Sequence, residues 1–551
     1  MNILRNPVTG KVRRLLWAGI VFTVLLIVAI VELFLKYDGI RVGEKARYLV
    51  DSYDWHNAVH QIKLVEDPTE AYLVRRQLIR NATKSIDLSV FLWREDETGL
   101  ALMQELIAAA ERGVRVRLLG DGVFFLREPD KVSAMAQSNP HFELRLYNPL
   151  DQRIASLDIG ILENLIFDFT AVNHRLHIKI LTIDGEQTLI GGRNIGDKYF
   201  GQDPEFNFID RDILMKGPAV ADAKDAFELF WQDSRTVTAM KLKDVAASEP
   251  NTAWLNQTPR LTIPEEKEVD VDWRTVNRVS VWYDKPGLIG DKSRYDPKLV
   301  VDRLAALVGS AQSSVLIETP YLVLGERSRA LFHELRSKKP ELPILFLTNS
   351  LASTDNWQTY AAFQAQLRSM LEDFRFLLYL KKPDSLVERS NGPGTISSLH
   401  SKTSIIDEQY TSIGSFNWDP RSGIWNAEIM VVIDDTSLAT DLTKYLEPLW
   451  SPEASWVVAK RRQPIALEQL DAIGSTIHST IGEIVGINVW PLTNVSCFEL
   501  KEGKQPLSPY HPYFHENYQS VTAFPGVSII DQRRILLNLL QPISGPLTPA
   551  L

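Results

Sequence analysis

HIKILTIDGEQTLIGGRN (177–194) has a second copy in HSKTSIIDEQYTSIGSFN (400–417). Each reads His-x-Lys, four residues, Asp, then nine residues and an Asn. A lone His-x-Lys carries almost no information, but two full copies in register, 223 residues apart, are not a chance event. In extended chain, residues two apart share a face. His177 and Lys179 therefore project together, as do His400 and Lys402, while Ile178 turns to the core. Asp184 and Asp407 each close a strand before a tight turn. A short return strand, TLIGG or TSIGS, then brings Asn194 or Asn417 back to the same rim. Gly191 and Gly414 match in register and allow close backbone approach to a ligand. The next pair, Gly192 and Ser415, can offer backbone donors, with a hydroxyl added in the second copy.

Working outward, the flanks of the two motifs also repeat. In the first half Asp67 caps a helix opening at Pro68, with Ala71, Val74 and Leu78 as its apolar stripe. IDLSVFLW (86–93), VRVRLLG (114–120) and FELRLYNP (142–149) read as strands, with a helix at 101–113 ended by Gly113. The second half has helices at 297–311 and 329–339 and strands SVLIETPY (314–321) and LPILFLTNS (342–350). Alternating short strands and helices indicate an α/β layer architecture. The duplication of about 220 residues is too long for a solenoid and indicates two related domains facing each other.

These readings divide the chain into 1–35, an apolar N-terminal segment; 36–66, a polar neck; 67–239, a first domain; and 240–275, a linker. Residues 276–460 make a second domain and 461–551 a C-terminal extension. Residues 15–31 carry no charge, and a helix over 15–35 would be about 31 Å long, enough to cross a bilayer. A retained transmembrane anchor is the expectation, with a cleaved signal peptide as its rival. Basic residues flank the segment on both sides, so charge gives no firm orientation; the short basic leader mildly favours the bulk outside. The apolar stretch at 154–169 reads as a packed helix or as a lid touching lipid. Residues 465–486 read as helical, and no function is legible for the extension.

Composition narrows the function. Hydrophobic residues make 45% and charged residues 23% of the 551, as in a folded protein. Lys and Arg total 60 against 69 Asp and Glu, a balance that argues against a general nucleic-acid binder. A single cysteine, Cys497, excludes intrachain disulfides and thiolate metal clusters. The spaced pairs His56/His60 and His511/His515 read as surface polar residues, and no metal or cofactor is called for.

Facing domains would gather two His, two Lys and two Asn. That set suits a phosphodiester: one imidazole attacks phosphorus, the other protonates the leaving oxygen, and Lys and Asn hold the non-bridging oxygens. The doubled HxKxxxxD motif resembles that of the phospholipase D superfamily. The strings DLSVFLWREDETG (87–99), AAAERGVRVRLLGD (108–121), LTNSLASTDN (347–356) and HSKTSIIDEQYTSIGSFNWDPRSGIWNAE (400–428) more closely resemble the bacterial cardiolipin synthase C type. The resemblance covers about residues 67–460 and implies two α/β/α domains, each with a mixed sheet, related by a pseudo-twofold axis with the site between them.

By the same resemblance, His177 would be the nucleophile, forming a phosphohistidine, and His400 the acid and then base, with the exchanged roles left open; Lys179, Asp184, Lys402 and Asp407 would complete the catalytic set, the aspartates in support. A further acidic residue would orient each histidine; the candidates are Asp212, with Asp210 as competitor, and Glu428. The implied partners are membrane phospholipids, namely phosphatidylglycerol as acceptor and phosphatidylethanolamine as one candidate donor. Transfer to phosphatidylglycerol would give cardiolipin, and hydrolysis would give phosphatidic acid. The implied setting is a bacterial inner membrane with a single span and a periplasmic catalytic part. Self-association is not legible.

Overall fold

The structure is a computed structural model. It describes residues 54–125, 128–149, 174–263, 269–286, 299–383, 395–462, 494–521 and 525–527. The stretches at 154–169 and 465–486 lie outside these. So do residues 15–35. Among the described residues no helix is long and apolar enough to cross a membrane. The expected N-terminal transmembrane helix, and with it a single-pass inner-membrane topology, is therefore not supported.

Among the described residues 18 strands form one continuous mixed sheet, and its order displays the duplication. Two central strands, His56–Val65 and Arg274–Tyr283, pair antiparallel with each other. Outward from the first lie Asp212–Lys216, Gln187–Gly191, Ile180–Ile183, Ser85–Val90, Arg115–Asp121, Phe142–Tyr147 and Thr236–Thr238. Outward from the second lie Ile429–Asp434, Tyr410–Gly414, Thr403–Ile406, Val315–Glu318, Ile344–Asn349, Leu377–Lys381 and Ser455–Lys460. Each half thus carries the same strand sequence away from the centre. Val495–Leu500 and Tyr518–Ser520 extend the second edge only.

Two parts differ from the sequence reading. The supposed neck contains His56–Val65, which lies at the middle of the sheet. Burial alternates from His56 to Ile62, but His56 and His60 take inward positions while Val59 is exposed, so the residue types do not announce a strand, and both its edges are covered by partners far along the chain. Within 240–275, short helices at Lys243–Ala247 and Thr252–Leu255 occupy what reads as a plain linker. The Asp67 cap is as expected, its side chain accepting the Glu70 N–H at 2.7 Å, whereas Asp96, not read as a cap, caps Glu97–Glu111, which begins a turn earlier than its apolar run.

A shared core joins the halves. Ile178, Ile180, Ile190, Ile213 and Met215 of the first pack with Ile405, Ile413, Ile429, Val431 and Ile433 of the second. Each such buried side chain is worth roughly 1.5–3 kcal/mol of transfer free energy, so the two halves are held as one body by apolar contact. A two-stranded parallel ribbon, Phe206–Ile209 with Ile396–Leu399, makes a second junction. It leads directly into Asp210 and His400.

Candidate active site

His177, Ile178 and Lys179 lie just ahead of the strand Ile180–Ile183, so the motif strand is shorter than its sequence suggests. Ile178 is fully buried and anchors this segment in the shared core. The His177 N–H donates to the Ala427 carbonyl at 3.0 Å, and the His400 N–H to the Ile209 carbonyl at 2.7 Å. Each motif histidine is therefore tied by its backbone to the opposite half, at the residue just before an acidic side chain.

Those acids complete a reciprocal arrangement. Nδ1 of His177 lies 2.8 Å from Glu428 Oε2, and Nδ1 of His400 lies 2.5 Å from Asp210 Oδ2. Each half supplies the carboxylate for the other half's imidazole. A carboxylate only accepts, so each Nδ1 carries the hydrogen and each Nε2 keeps its lone pair for chemistry. Gly192 has a structural reason: a Cβ there would come within 2.3 Å of Asp210 Oδ1. At the matching place Ser415 donates its hydroxyl to Glu428.

Asp212, read as a histidine-orienting acid, is elsewhere. It accepts from Arg75 at 3.0 Å and Arg193 at 2.9 Å and touches neither imidazole. The sheet register explains the slip. Gly191 pairs with Asp212 and Gly414 with Met430, which makes Asp210 the counterpart of Glu428. Superposing Ile213-Leu214-Met215 on Val431-Val432-Ile433 would have found it. Gly192 and Ser415 also give up the role of ligand donors, since their N–H groups bond to the Arg211 and Ile429 carbonyls. At Gly191 and Gly414 an added Cβ would strike the neighbouring strand, so the close approach there is sheet packing.

Lys179 Nζ donates to the His177 carbonyl at 2.7 Å, and Lys402 Nζ likewise to His400. Asn194 spends its amide on the Leu92 N–H and the Tyr199 hydroxyl. By contrast, Asn417 Oδ1 and the Ser401 hydroxyl are buried without a hydrogen-bond partner. Aromatic rings wall the imidazoles: Phe91 against His177, and Tyr199 and Phe208 against His400, at centroid distances of 4.9, 5.2 and 4.9 Å. These were not singled out by sequence, because aromatic residues near a motif read equally well as core.

Burial and the lysine charges shift the titrations. Desolvation, then Lys179 and Lys402, hold His177 well below its ordinary range. Desolvation and Lys402, opposed by Asp210, lower His400 to about 4. Burial works against ionising Asp210, but His400, Lys402 and Arg193 outweigh it and keep its carboxyl below the usual range. Desolvation lowers Lys179 to about 7, against the pull of Glu428. Burial thus works against the charge on both imidazoles and on Lys179 and Lys402 alike.

Asp184 and Asp407 stand at the other end of their strands, roughly 20 Å of extended chain from the histidines. Asp184 accepts the N–H groups of Thr83, Lys84 and Ser85; Asp407 accepts those of Gln312, Ser313 and Ser314. Both lie in left-handed backbone, φ 54° and 57°, at tight turns. In the first copy Gly185 suits the next left-handed position. Replacing either aspartate by alanine strands three donors and should cost about 1–3 kcal/mol of stability in chemical denaturation, with turnover of the folded enzyme retained. Loss of turnover without loss of stability would place them in the chemistry instead.

Of the other histidines, His60 is not a surface residue: it is buried, and its ring accepts the Ala219 N–H at 3.1 Å. Among the described residues there is no cluster of potential metal ligands.

The family model described as cardiolipin synthase, PLD-like domain matches residues 76–231 and 304–450, one match in each half. The chain is 33% identical over 401 residues to cardiolipin synthase C of Escherichia coli (strain K12), covering 69% of this chain and 82% of that protein. It is 30% identical over 431 residues to an uncharacterized protein of Helicobacter pylori (strain ATCC 700392 / 26695), covering 75% and 84%. Its fold matches the crystal structure of phosphatidylserine synthase from Haemophilus influenzae Rd KW20 with a TM-score of 0.52 at 15% identity, over 78% of this chain and 96% of that one. With both motif copies intact and the family model matched in each half, the chain belongs to the phospholipase D superfamily as a cardiolipin synthase-like enzyme, catalysing phosphatidyl transfer or hydrolysis.

Proposed function

We propose that the enzyme is a phosphatidyltransferase that makes cardiolipin, with phosphatidylglycerol as acceptor and His177 as nucleophile. The observation that carries this reading is the reciprocal clamping of two buried imidazoles by Glu428 and Asp210. In the first step Nε2 of His177 attacks phosphorus, and the bond to the donor's headgroup oxygen breaks. His400, protonated once the phosphodiester anion sits beside it, gives its proton to that oxygen. In the second step His400 takes the hydroxyl proton of phosphatidylglycerol, whose oxygen displaces His177. Lys179 and Lys402 hold the non-bridging oxygens as charge shifts onto them.

Burial of both imidazoles limits access of bulk water and favours transfer over hydrolysis. Names among the relatives point the same way, since several are cardiolipin synthases. Purified enzyme given phosphatidylglycerol, alone and with phosphatidylethanolamine, should yield cardiolipin as the main lipid by mass spectrometry. Release of glycerol or ethanolamine identifies the donor. Phosphatidic acid without cardiolipin would move the assignment to a hydrolase.

The pH profile tests Lys179. Its ammonium is charged below about 7 and neutral above, so kcat/KM should fall as pH rises through that value. Arginine stays charged throughout this range. Lys179→Arg should therefore shift the alkaline limb upward by at least about 2 pH units, whatever it costs in absolute rate. A limb left in place would remove Lys179 as its source.

A further inference from the structure

The two motif copies diverge just past their asparagines. After Asn194 the first continues Ile195-Gly196-Asp197-Lys198; after Asn417 the second continues Trp418-Asp419-Pro420-Arg421. Lys198 and Arg421 are matched by position, and their surroundings differ. Lys198 lies over the Phe206 ring, its Nζ 4.9 Å from the centroid. Arg421 opens a single wide turn, the π-helix Arg421–Trp425, inserted where the first copy has a short 3₁₀ turn. Such turns recur at functional sites because they re-aim side chains. This one is braced: Ser422 donates its N–H to Asp419 at 2.7 Å, and Gly423 donates to the Asp419 carbonyl at 3.0 Å.

The Arg421 Nε is buried and has no hydrogen-bond partner. The groups whose charges it feels are Asp419, Asp121, Arg175 and Glu428. The carboxylates among them are engaged elsewhere. Asp121 accepts from Arg175, Leu176 and Val123; Glu428 accepts from His177 and Ser415; Asp419 accepts from Ser422. Its own charge reaches His177. A buried guanidinium donor is costly to leave unmatched, and here its charge is felt by the imidazole that receives phosphorus in the reading above.

We infer that Arg421 is a third cationic ligand of the transferring phosphoryl group, gripping a non-bridging oxygen alongside Lys179 and Lys402. The planar guanidinium presents paired N–H donors that match phosphate geometry, which an ammonium cannot. The first half has no equivalent, because Lys198 is held over Phe206. The pseudo-twofold site is thereby made one-sided: the phosphate is drawn toward His177, and the face at His400 is left for the alcohol that leaves or enters. This inference rests on the phosphoryl-transfer reading and on the placing of phosphorus at His177.

The test uses the full chain and bis(p-nitrophenyl) phosphate, with orthovanadate as a competing anion. Arg421→Ala should lower kcat/KM by about 10²–10³-fold and weaken orthovanadate inhibition by about tenfold or more. Millimolar guanidinium should restore at least about tenfold of the lost rate, which a merely structural arginine would not allow. Lys198→Met, at the matched position, should stay within about twofold of the wild type. Should Arg421→Ala not fold, Arg421→Gln keeps length and polarity and is read by orthovanadate inhibition and by guanidinium rescue in the same way. Unchanged orthovanadate inhibition in a folded variant overturns the assignment, as does lost activity without rescue. If the wild type itself cleaves no phosphodiester, the phosphoryl-transfer reading fails and the assignment of Arg421 falls with it, whereas an active wild type with an unaffected Arg421→Ala overturns the assignment alone.

Discussion

His400→Asn should still release one equivalent of p-nitrophenol from bis(p-nitrophenyl) phosphate and then stall. p-Nitrophenolate leaves without a proton, so the first step can proceed without the acid. The second step needs a base to activate the incoming oxygen, and there the variant should be at least about 10³-fold slower. The enzyme should then accumulate with phosphorus bonded to residue 177, visible as a mass increase on the peptide carrying it. His177→Asn should show no burst and no adduct, with steady-state turnover down by at least about 10³-fold. The opposite pattern, with an adduct on His400, would exchange the roles of the two imidazoles and leave the paired mechanism standing. Full activity in either variant would sink it.

Glu428→Gln should cost about 10²–10⁴-fold in kcat. The carboxamide can present either its oxygen or its NH₂ to Nδ1, and in the second case the imidazole holds its hydrogen on Nε2, where the lone pair is needed. Asp210→Asn should act in the same way on His400. The two effects are separable by double-mutant cycles. Adding Glu428→Gln to His177→Asn should cost little beyond the single change, since the imidazole it serves is already gone. Adding Asp210→Asn to His177→Asn should cost more, because that carboxylate serves the other histidine. Equal coupling in both pairs would contradict the crossed assignment. Calorimetric melting checks that each variant is folded, since an unpaired buried acid is itself destabilising.

Much of this was legible from the two quoted copies. Their spacing located His177, Lys179, His400 and Lys402, and the alternation at Ile178 showed which side faces the core. The outer strands and the Asp67 cap followed from local pattern. What failed had long-range causes. Asp210 is favoured over Asp212 by strand register, which depends on Gly191 lying opposite Asp212, a pairing 21 residues apart. His56–Val65 reads as a polar neck because its partners lie far away in sequence and its inward positions include His56 and His60. Asp184 and Asp407 share a motif with the histidines and yet clamp the far ends of their strands. Contiguity in a motif reflects conformation as well as chemistry, and here the aspartate fixes the turn.

The central position of His56–Val65 bears on how the chain leaves the ribosome. Its partner on one side, Asp212–Lys216, emerges about 150 residues later, and its partner on the other, Arg274–Tyr283, about 210 residues later. At about 5–20 residues per second, synthesis of the roughly 60 residues between those two partners takes roughly 3–12 s. During this interval the first half can pair its own strands, but one edge of its middle strand stays open, with donors and acceptors ready to bind any extended segment. Biosynthesis therefore passes through a half-built sheet whose adhesive edge is buried only when the second half arrives, so the nascent first half depends on shielding that the finished enzyme does not need.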